Sequence, residues 1–335
     1  PDDCRAAAPS AERERPASPA MLTLTPSASL PKVARLHNPP KTDAVLDESD
    51  AADPFHRMAQ REWPNWLREL DSTRGPKPLA VVERTFVSAY TPLKEAWLRN
   101  IASPKALAAL KTFADSFEHS YAEAFDALRV RGKRPTMVLD IPEIAQRIGR
   151  LHGARSIQLV LVDAMRFDVG LRVQDRLRKL AKGQVSLAER LLLWSALPTT
   201  TETQLDLIGK GSSGLREPIA APETPAVVAR GKNAATPRRI KAGQRELIKL
   251  DVIEAALAEP GKAETGRLDE LADAVAEAMA DYLLKLPPRT LVMMFGDHGF
   301  LLDPVVGGTS AGRSGGASPE EVLVPAFAWL VGNVH

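Results

Sequence analysis

Residues 291–299 read LVMMFGDHG, an unbroken apolar run that ends in Asp297 and His298 between two glycines. An apolar run of this length, bounded by turn residues, is typical of a strand buried on both faces of a sheet. In open α/β sheets, ligands bind beyond the carboxyl ends of the strands, which is where this carboxylate and imidazole would lie. Asp and His side chains together can hold a divalent cation. The alternative is a surface turn that binds nothing.

A second predicted strand ends in a similar way. Residues 156–163 read SIQLVLVD, so a run of mostly β-branched residues and leucines leads into Asp163. The residues that follow predict a helix whose apolar positions include Val173, Leu177 and Leu180. Asp163 is therefore either a second metal ligand or the N-cap of that helix, because Asp accepts hydrogen bonds from the free N–H groups at a helix start.

A third apolar segment, residues 191–197, leads into Pro198 and three successive threonines that end at Thr201. A threonine in this position can cap a helix or a turn. It can also act as a nucleophile, if a metal lowers the pKa of its hydroxyl and a helix amino end accommodates a phosphate. Three segment ends that offer Asp, Thr and Asp-His can together build one metal site.

These strands alternate with amphipathic helices, which predicts a doubly wound α/β/α sandwich. Residues 267–286 predict a long helix with one apolar face, and residues 322–331 predict a last buried strand. A short strand is expected at residues 136–140. We place this α/β domain at residues 136–335.

The chain before this domain is predicted to be helical and, earlier still, disordered. Residues 51–135 form the predicted helical region, and residues 1–50, rich in Ala, Pro and Ser, are expected to be disordered or a linker. The chain begins at Pro1, so it is either a fragment of a longer protein or has its natural start at Met21; both are hypotheses. Within the helical region, apolar residues spaced three and four apart predict a helix packed against a core: Leu107, Leu110, Phe113, Phe117, Tyr121, Phe125 and Leu128.

Composition restricts the class of protein. The 335 residues include 44 Lys and Arg against 42 Asp and Glu, a balance that argues against a general nucleic-acid-binding surface. A single cysteine, Cys4, cannot form an internal disulfide and fits a reducing compartment. The sequence contains no apolar run of membrane-spanning length and no signal-peptide core. These features predict a cytoplasmic protein without membrane partners.

The order of these motifs resembles the PglZ domain of the alkaline phosphatase superfamily. The matching elements are residues 162–166 (VDAMR), residues 197–201 (LPTTT) and residues 296–300 (GDHGF). A fourth family element, a Gly-Gly segment followed by Glu-Glu and a Val-Pro strand, is present as SGGASPEEVLVP at residues 314–325. The resemblance covers about residues 137–333. It implies a fold of the alkaline phosphatase type.

The resemblance also implies a chemistry. It assigns Asp163, Asp297 and His298 to one divalent metal, Zn²⁺ first and Mn²⁺ second, and it assigns Thr201 as the nucleophile and a further metal ligand. Because Thr199 and Thr200 are adjacent, this last assignment could shift by a residue. The implied activity is that of a phosphohydrolase or phosphodiesterase acting on a phosphate ester or diester. The implied partners are proteins of a bacterial anti-phage system of the BREX type.

Two departures from the family pattern concern a second metal. Ser314 stands where family members usually have a histidine before the Gly-Gly. In the segment that corresponds to an Asp-x-x-x-His pair, Glu254 offers the acid and Ala258 replaces the histidine, with Asp251 as an alternative acid or a helix cap. One metal site is therefore expected and the second is doubtful. A catalytically degenerate PglZ-like scaffold in a defence complex is the alternative function.

A long loop at residues 209–243 follows the candidate nucleophile closely, which suggests a lid over the site. Arg166 could stabilise phosphoryl oxygens in place of a second metal. Basic residues of the loop could do the same, although a solvated loop is the alternative: Arg230, Lys232, Arg238, Arg239 and Lys241.

Overall fold

The computed structural model describes residues 21–24, 53–130, 133–219, 226–258, 264–302 and 312–332. A helical region comes first and is followed by a region built on a mixed β-sheet. The fold is therefore mixed α/β, as the sequence predicts. Among the described residues, no helix is both long enough and apolar enough to cross a membrane.

The helical region also contains one short pair of strands. Its elements are β1 (Met21–Leu24), α1 (Pro54–Ser72), β2 (Gly75–Pro78), α2 (Leu79–Thr85), a π-helical turn (Phe86–Tyr90), α3 (Thr91–Leu98) and α4 (Pro104–Val130). Strands β1 and β2 pair antiparallel. Part of the segment predicted to be disordered is thus a strand, and the rest of residues 1–50 lies outside the described residues.

Helix α4 joins the helical region to the sheet. Its predicted stripe is confirmed from Leu110 to Leu128, while Leu107 at its start is half-buried. The rings of Phe117 and Tyr121 lie 5.4 and 5.2 Å from that of Trp194 at the end of a sheet strand. Aromatic contacts at these separations add about 0.5–1.5 kcal/mol each to the burial energy. The stripe is therefore core that fixes the helical region against the sheet.

The sheet region alternates strands and helices. Its elements are a 3₁₀ turn (Val138–Asp140), α5 (Ile141–Leu151), β3 (Ser156–Val162), α6 (Phe167–Leu180), β4 (Val185–Trp194), α7 (Thr201–Lys210), two further 3₁₀ turns (Gly211–Arg216 and Gly231–Ala235), β5 (Arg238–Ala242), β6 (Arg245–Leu250), α8 (Val252–Leu257), α9 (Glu264–Leu283), β7 (Thr290–Gly296), β8 (Leu301–Leu302), β9 (Gly312–Arg313), α10 (Pro319–Val322) and β10 (Leu323–Val331).

The main sheet has six strands in the order β4-β10-β7-β3-β6-β5. Strand β3 runs parallel to β6 and β7. Strand β10 is antiparallel to both β7 and β4, so β4 runs in the same direction as β7. The carboxyl ends of β3, β4, β6 and β7 consequently lie at one edge of the sheet, and the candidate site residues follow three of these ends.

Helices cover both faces of the sheet. Every residue of β7 is buried, which confirms the prediction for the opening stretch of sequence. Val292 and Met294 pack in one core with residues of α6 and α9. Leu291, Met293 and Phe295 pack on the opposite face with residues of α5. A strand covered on both sides needs apolar residues at successive positions, which explains its unbroken run.

The prediction of a strand at residues 136–140 is wrong. Met137 makes a single β-bridge with Trp194, and the chain then turns into the 3₁₀ helix Val138–Asp140. The carboxylate of Asp140 accepts hydrogen bonds from the Met137 N–H at 2.9 Å and from the Arg134 guanidinium at 2.6 and 2.7 Å. These polar contacts bend a segment whose apolar residues alone resemble a strand.

Two other predicted features, the apolar face of α6 and the long loop, are shorter in the structure than predicted. Leu180, the last residue of α6, is 41% exposed, so the apolar face of that helix ends at Leu177. The predicted loop at residues 209–243 contains β5, which pairs antiparallel with β6. Strand β5 reads RRIKA, and such a charged edge strand lacks the apolar pattern that would reveal it. Residues 220–225 of the loop lie outside the described residues.

Candidate metal centre

The structure brings three sequence-predicted residues together at the sheet edge. Asp163 follows β3, and Asp297 and His298 follow β7, the strand that pairs with β3 in parallel register. One ligand atom from each of the three lies within 4.8 Å of the others, and all three side chains are buried. The His298 Nε2 atom lies 3.7 Å from Asp163 Oδ1 and 3.8 Å from Asp297 Oδ2.

Thr201 completes this group from the first residue of α7. Its Oγ1 donates to Asp163 Oδ1 at 2.6 Å and lies 3.1 Å from His298 Nε2. The hydroxyls of the two neighbouring threonines make other contacts. Thr200 is the N-cap of α7, and the Thr199 hydroxyl donates to the Gly316 carbonyl at 2.7 Å. Of the three threonine hydroxyls in this segment, only that of Thr201 therefore faces the candidate ligands.

The hydrogen bonds of Asp297 leave one of its oxygens open. Oδ1 accepts from the N–H groups of Ala164 at 3.1 Å and His298 at 2.9 Å. Oδ2 is buried, and no donor among the described residues reaches it. Ala164 adopts a φ of +60°, a conformation that costs a non-glycine residue about 1–2 kcal/mol. The backbone is strained where its N–H meets Asp297, and an unpartnered buried oxygen is an unfavourable state that a cation would relieve.

The environment of His298 suits a metal ligand as well. Its Nδ1 lies 2.8 Å from the Gly299 carbonyl, which can only accept, so Nδ1 carries the proton. The lone pair of the neutral ring then resides on Nε2, the atom that faces Asp163 and Thr201. Fixing the tautomer through a backbone carbonyl is the usual way that proteins orient a metal-binding imidazole.

The glycines on either side of Asp297-His298 are required by close packing. A Cβ on Gly296 would lie 2.4 Å from the Met165 carbonyl oxygen, and one on Gly299 would lie 1.9 Å from the Glu320 carbonyl oxygen. Both distances are far below a van der Waals contact. The two glycines therefore let the β7 end approach its neighbours closely enough to place Asp297 and His298 at the centre.

Lys249, which the sequence motifs do not assign to the site, also belongs to it. Lys249 is 1% exposed, and its ammonium donates to Asp163 Oδ2 and to Asp251 Oδ1. The second oxygen of Asp251 accepts from Arg238 Nε at 2.8 Å and from the Ala229 N–H at 3.0 Å. The available signal was a lysine inside the apolar end of β6, two positions before an aspartate and hence on the same face of the strand.

Electrostatics at the centre favour an added cation. Burial, together with the charge of Asp297, raises the pKa of Asp163 to about 7. Burial alone would lower the pKa of His298, but the charges of Asp297 and Asp163 outweigh it and raise that pKa. Burial would likewise lower the pKa of Lys249, but its contacts with Asp163 and Asp251 raise it, so it remains an ammonium.

Glu254 does not join the three-residue cluster. It lies on α8, half-buried, and burial raises its pKa although the nearby charge of His298 opposes this. Asp251, the alternative acid, is the carboxylate that shares Lys249 with Asp163. Ala258 is exposed, and Ser314 is exposed on the segment that Thr199 holds through Gly315 and Gly316.

Arg166 cannot serve a substrate in this arrangement. Its guanidinium is 1% exposed, pairs with Asp168 at 2.6 Å and Glu264 at 3.3 Å, and lies over the Phe300 ring. Of the basic residues in the long loop, Arg238 reaches the centre through Asp251, whereas Arg239 is exposed at 77%.

No family model matches the chain, and no curated protein matches it. The resemblance to the PglZ domain therefore rests on the four sequence motifs.

Proposed function

We propose that this chain is a PglZ-like, metal-dependent phosphohydrolase or phosphodiesterase with Thr201 as its nucleophile. The observation that carries this proposal is the position of the Thr201 hydroxyl. Its oxygen lies 2.6 Å from Asp163 Oδ1 and 3.1 Å from His298 Nε2, in a cluster where Asp297 Oδ2 has no donor among the described residues. A hydroxyl among metal-binding atoms at a helix start is the arrangement that such a nucleophile needs.

A divalent ion, Zn²⁺ or Mn²⁺, fits the donor set of Asp163, Asp297 and His298. When bound, it would polarise the phosphoryl oxygens and lower the pKa of the Thr201 hydroxyl. The orphaned Asp297 Oδ2 and the imidazole Nε2 are the features of this chain that support the fit. Glu254 is close enough to act through its charge and is kept as a weaker candidate ligand.

The chain's own residues orient the reaction. Asp163 Oδ1 and His298 Nε2 fix the direction of the Thr201 oxygen at the first residue of α7, and a helix amino end favours an anion. In the proposed step the Thr201 hydroxyl gives its proton to Asp163 Oδ1, the Thr201 oxygen bonds to phosphorus, and the bond to the leaving oxygen breaks as that oxygen takes a proton from solvent. Water later hydrolyses the phosphothreonine. The motif resemblance extends the proposal to a cytoplasmic role beside anti-phage proteins of the BREX type.

The second candidate is a catalytically inactive PglZ-like scaffold. The observation in its favour is the loss of both imidazoles of a second metal site, where Ser314 and Ala258 are exposed. The burial of the centre also favours it, because Thr201 is 6% and His298 2% exposed. The two candidates differ in whether the purified protein turns over a phosphate ester.

Metal analysis and turnover together test the proposal. The purified chain is loaded with Zn²⁺ or Mn²⁺ and assayed with bis(p-nitrophenyl) phosphate and p-nitrophenyl phosphate. We expect Thr201→Val to keep its fold but to lose turnover by about 10³-fold or more, as is typical when a nucleophile is removed. Asp163→Ala should lose both metal and turnover.

Thr203→Val is the matched control, since it removes another buried hydroxyl from the first turn of α7. The Thr203 hydroxyl lies 3.1 Å from that of Thr200, so its loss should change turnover little. Full activity in Thr201→Val would refute the assignment of the nucleophile. No bound metal and no turnover with any divalent cation would refute the hydrolase and support the inactive scaffold.

A further inference from the structure

Lys249 places a positive charge inside the candidate metal centre. It stands in β6, the strand parallel to β3, and both its side chain and those of its two carboxylate partners are buried. Removing an ammonium from water is costly unless it gains strong partners in return. The two partners here, Asp163 and Asp251, each give one oxygen to the same nitrogen. The lysine is therefore held in one position between the ends of β3 and β6.

Asp163 connects this ammonium to the metal-binding atoms. Its Oδ1 faces Thr201 and His298, and its Oδ2 faces Lys249. A carboxylate that presents one oxygen to each of two cations is the bridging arrangement of two-metal phosphoryl-transfer centres, where the ions lie about 3.5–4 Å apart. In this chain the cation at Asp163 Oδ2 is the ammonium of Lys249.

The buried charges support the same reading. The buried groups are three carboxyl groups, on Asp163, Asp251 and Asp297, and one ammonium, on Lys249, which contacts the first two. With all three carboxyl groups ionised, this leaves an excess of two negative charges. His298 adds none, because a metal-binding imidazole is neutral. One divalent ion would cancel the excess, whereas two would replace it with an equal positive excess. At the rim, the partly exposed Glu202 and Glu254 are screened by solvent, while the partly exposed Arg238 pairs with Asp251 at 2.8 Å.

We propose that Lys249 supplies the second cation of the centre, so that this centre takes up one divalent ion at Asp163, Asp297 and His298, and its described residues offer no position for a second. The inference rests on the proposed function for its chemical meaning. It also accounts for the departures at Ser314 and Ala258, because a position filled by an ammonium needs no imidazole ligands. Lys249 acts through Asp163, so it is a positioning residue for the Thr201 hydroxyl and the ion.

The first test counts metal ions in the unaltered chain. The protein is loaded with excess Zn²⁺, desalted and analysed by plasma mass spectrometry, and the stoichiometry is checked by calorimetric titration. One Zn²⁺ per chain is expected, and a structure of the loaded protein should retain Lys249 between Asp163 and Asp251. Two ions per chain would overturn the proposal, and this measurement needs no variant to fold.

The second test removes the ammonium. Lys249→Ala leaves Asp163 Oδ2 and Asp251 Oδ1 facing a vacated space, so it should bind two Zn²⁺ per chain. The double variant Lys249→Ala/Asp251→Asn removes the freed carboxylate and should return to one ion. It also restores the charge balance, so it folds more readily if the single variant does not. Lys111→Ala, which breaks an exposed pair with Asp115, is the control and should bind one ion.

Turnover separates this inference from the proposed function. Zn²⁺-loaded Lys249→Met, which keeps the chain length without the charge, should fall about 10²–10³-fold in kcat for the diester, the usual effect of removing one charge-stabilising group. Unchanged stoichiometry and unchanged kcat in the Lys249 variants would overturn the inference. A wild-type chain that binds one ion but hydrolyses nothing refutes the hydrolase and leaves the one-ion assignment. A wild-type chain that hydrolyses the diester with two bound ions supports the hydrolase and refutes the one-ion assignment.

Discussion

Two clusters of charged groups lie next to Gly299, and they differ in how completely their groups are paired. We name them by their contents. The metal-centre cluster consists of Asp163, Thr201, Lys249, Asp251, Asp297 and His298. The Arg166 cluster consists of Tyr90, Lys94, Arg166, Asp168, Glu264 and Glu320.

The Arg166 cluster is saturated. The Arg166 guanidinium donates to Asp168 and Glu264, and the Glu320 carboxylate accepts from Lys94 at 2.6 Å and from the Tyr90 hydroxyl. The network joins α3 of the helical region to the start of α6 and to α10. In the metal-centre cluster, by contrast, Asp297 Oδ2 has no partner among the described residues.

The pKa of Asp163 moves in the opposite direction to those of Asp168 and Glu320 in the Arg166 cluster. Asp251 behaves like the latter two, because hydrogen bonds from Arg238 and Lys249 outweigh its burial and lower its pKa. Burial would raise the pKa values of Asp168 and Glu320, but the charges of Arg166 and Lys94 outweigh it, and both pKa values are lowered. The pKa of Asp163 is raised to about 7 by burial and by the charge of Asp297. A saturated cluster stabilises its ionised carboxylates, whereas the metal-centre cluster does not do so fully without a further cation. The contrast distinguishes a structural network from a binding site.

The largest expected effect comes from opening the saturated cluster. Arg166→Met leaves three carboxylates near an apolar side chain and should lower the free energy of unfolding by about 3–5 kcal/mol, the usual cost of breaking a buried ion pair. Urea denaturation followed by circular dichroism measures it. Arg74→Ala, which breaks an exposed pair with Asp71, should cost less than about 1 kcal/mol. Equal effects of the two variants would contradict the structural role of Arg166.

The second prediction concerns pH and the opposite signs of the pKa shifts. In unfolded chains the pKa of an Asp side chain is about 3.9. Because the pKa of Asp163 is about 7 in the folded state, its ionised form opposes folding, and the metal-free protein should lose stability as pH rises between these values. His298, whose pKa is also raised, acts in the same direction as pH rises further.

The lowered pKa values of Asp168 and Glu320 act oppositely, since they add stability as pH rises through about 4 and lose it in acid. Thermal unfolding of the metal-free protein from pH 5 to pH 8 should therefore show a fall in Tm, and saturating Zn²⁺ should remove it. A metal-free Tm that rises steadily across this range would contradict the prediction.

The third prediction removes a charge from the metal-centre cluster. Asp297→Asn keeps an acceptor for the N–H groups of Ala164 and His298 but removes the negative charge beside Asp163. The metal-free variant should be as stable as the wild type or more so, while its affinity for Zn²⁺ should fall at least about 100-fold, since even outer contacts of metal ligands are worth 10–100-fold. Denaturation and metal titration measure the two effects. A large loss of metal-free stability would make Asp297 a structural acid like those around Arg166.

The smallest expected effect comes from Gly299, which separates the clusters. Gly299→Ala places a methyl group against the Glu320 carbonyl, and the shift that relieves the contact should cost about 1–3 kcal/mol. Because His298 is the preceding residue, affinity for Zn²⁺ should fall as well. Denaturation and metal titration again provide the readout, and an unchanged Zn²⁺ affinity would mean that the two clusters are independent.

Much of the fold was accessible from local pattern. Buried strands such as β7 carry continuous apolar runs, and α4 shows a clear helical stripe, because burial in these elements depends on spacing along the chain. Strand β5 and the turn at Val138–Asp140 were not accessible. The first is a charged edge strand that gains its order by pairing with β6, and the second is set by the contacts of Asp140 with Met137 and Arg134.

The sequence by itself determined the residues that meet at the sheet edge, because parallel strands place their carboxyl ends together and Asp163, Thr201, Asp297 and His298 follow such ends. The tertiary structure decided which threonine faces the ligands, that Asp251 rather than Glu254 contacts the centre's lysine, and that Arg166 is enclosed by acids. It also introduced Lys249, which is 86 positions from Asp163 along the chain. These contacts form between elements that are distant in sequence. Their contribution to the free energy of folding arises only when burial removes the charged groups from water.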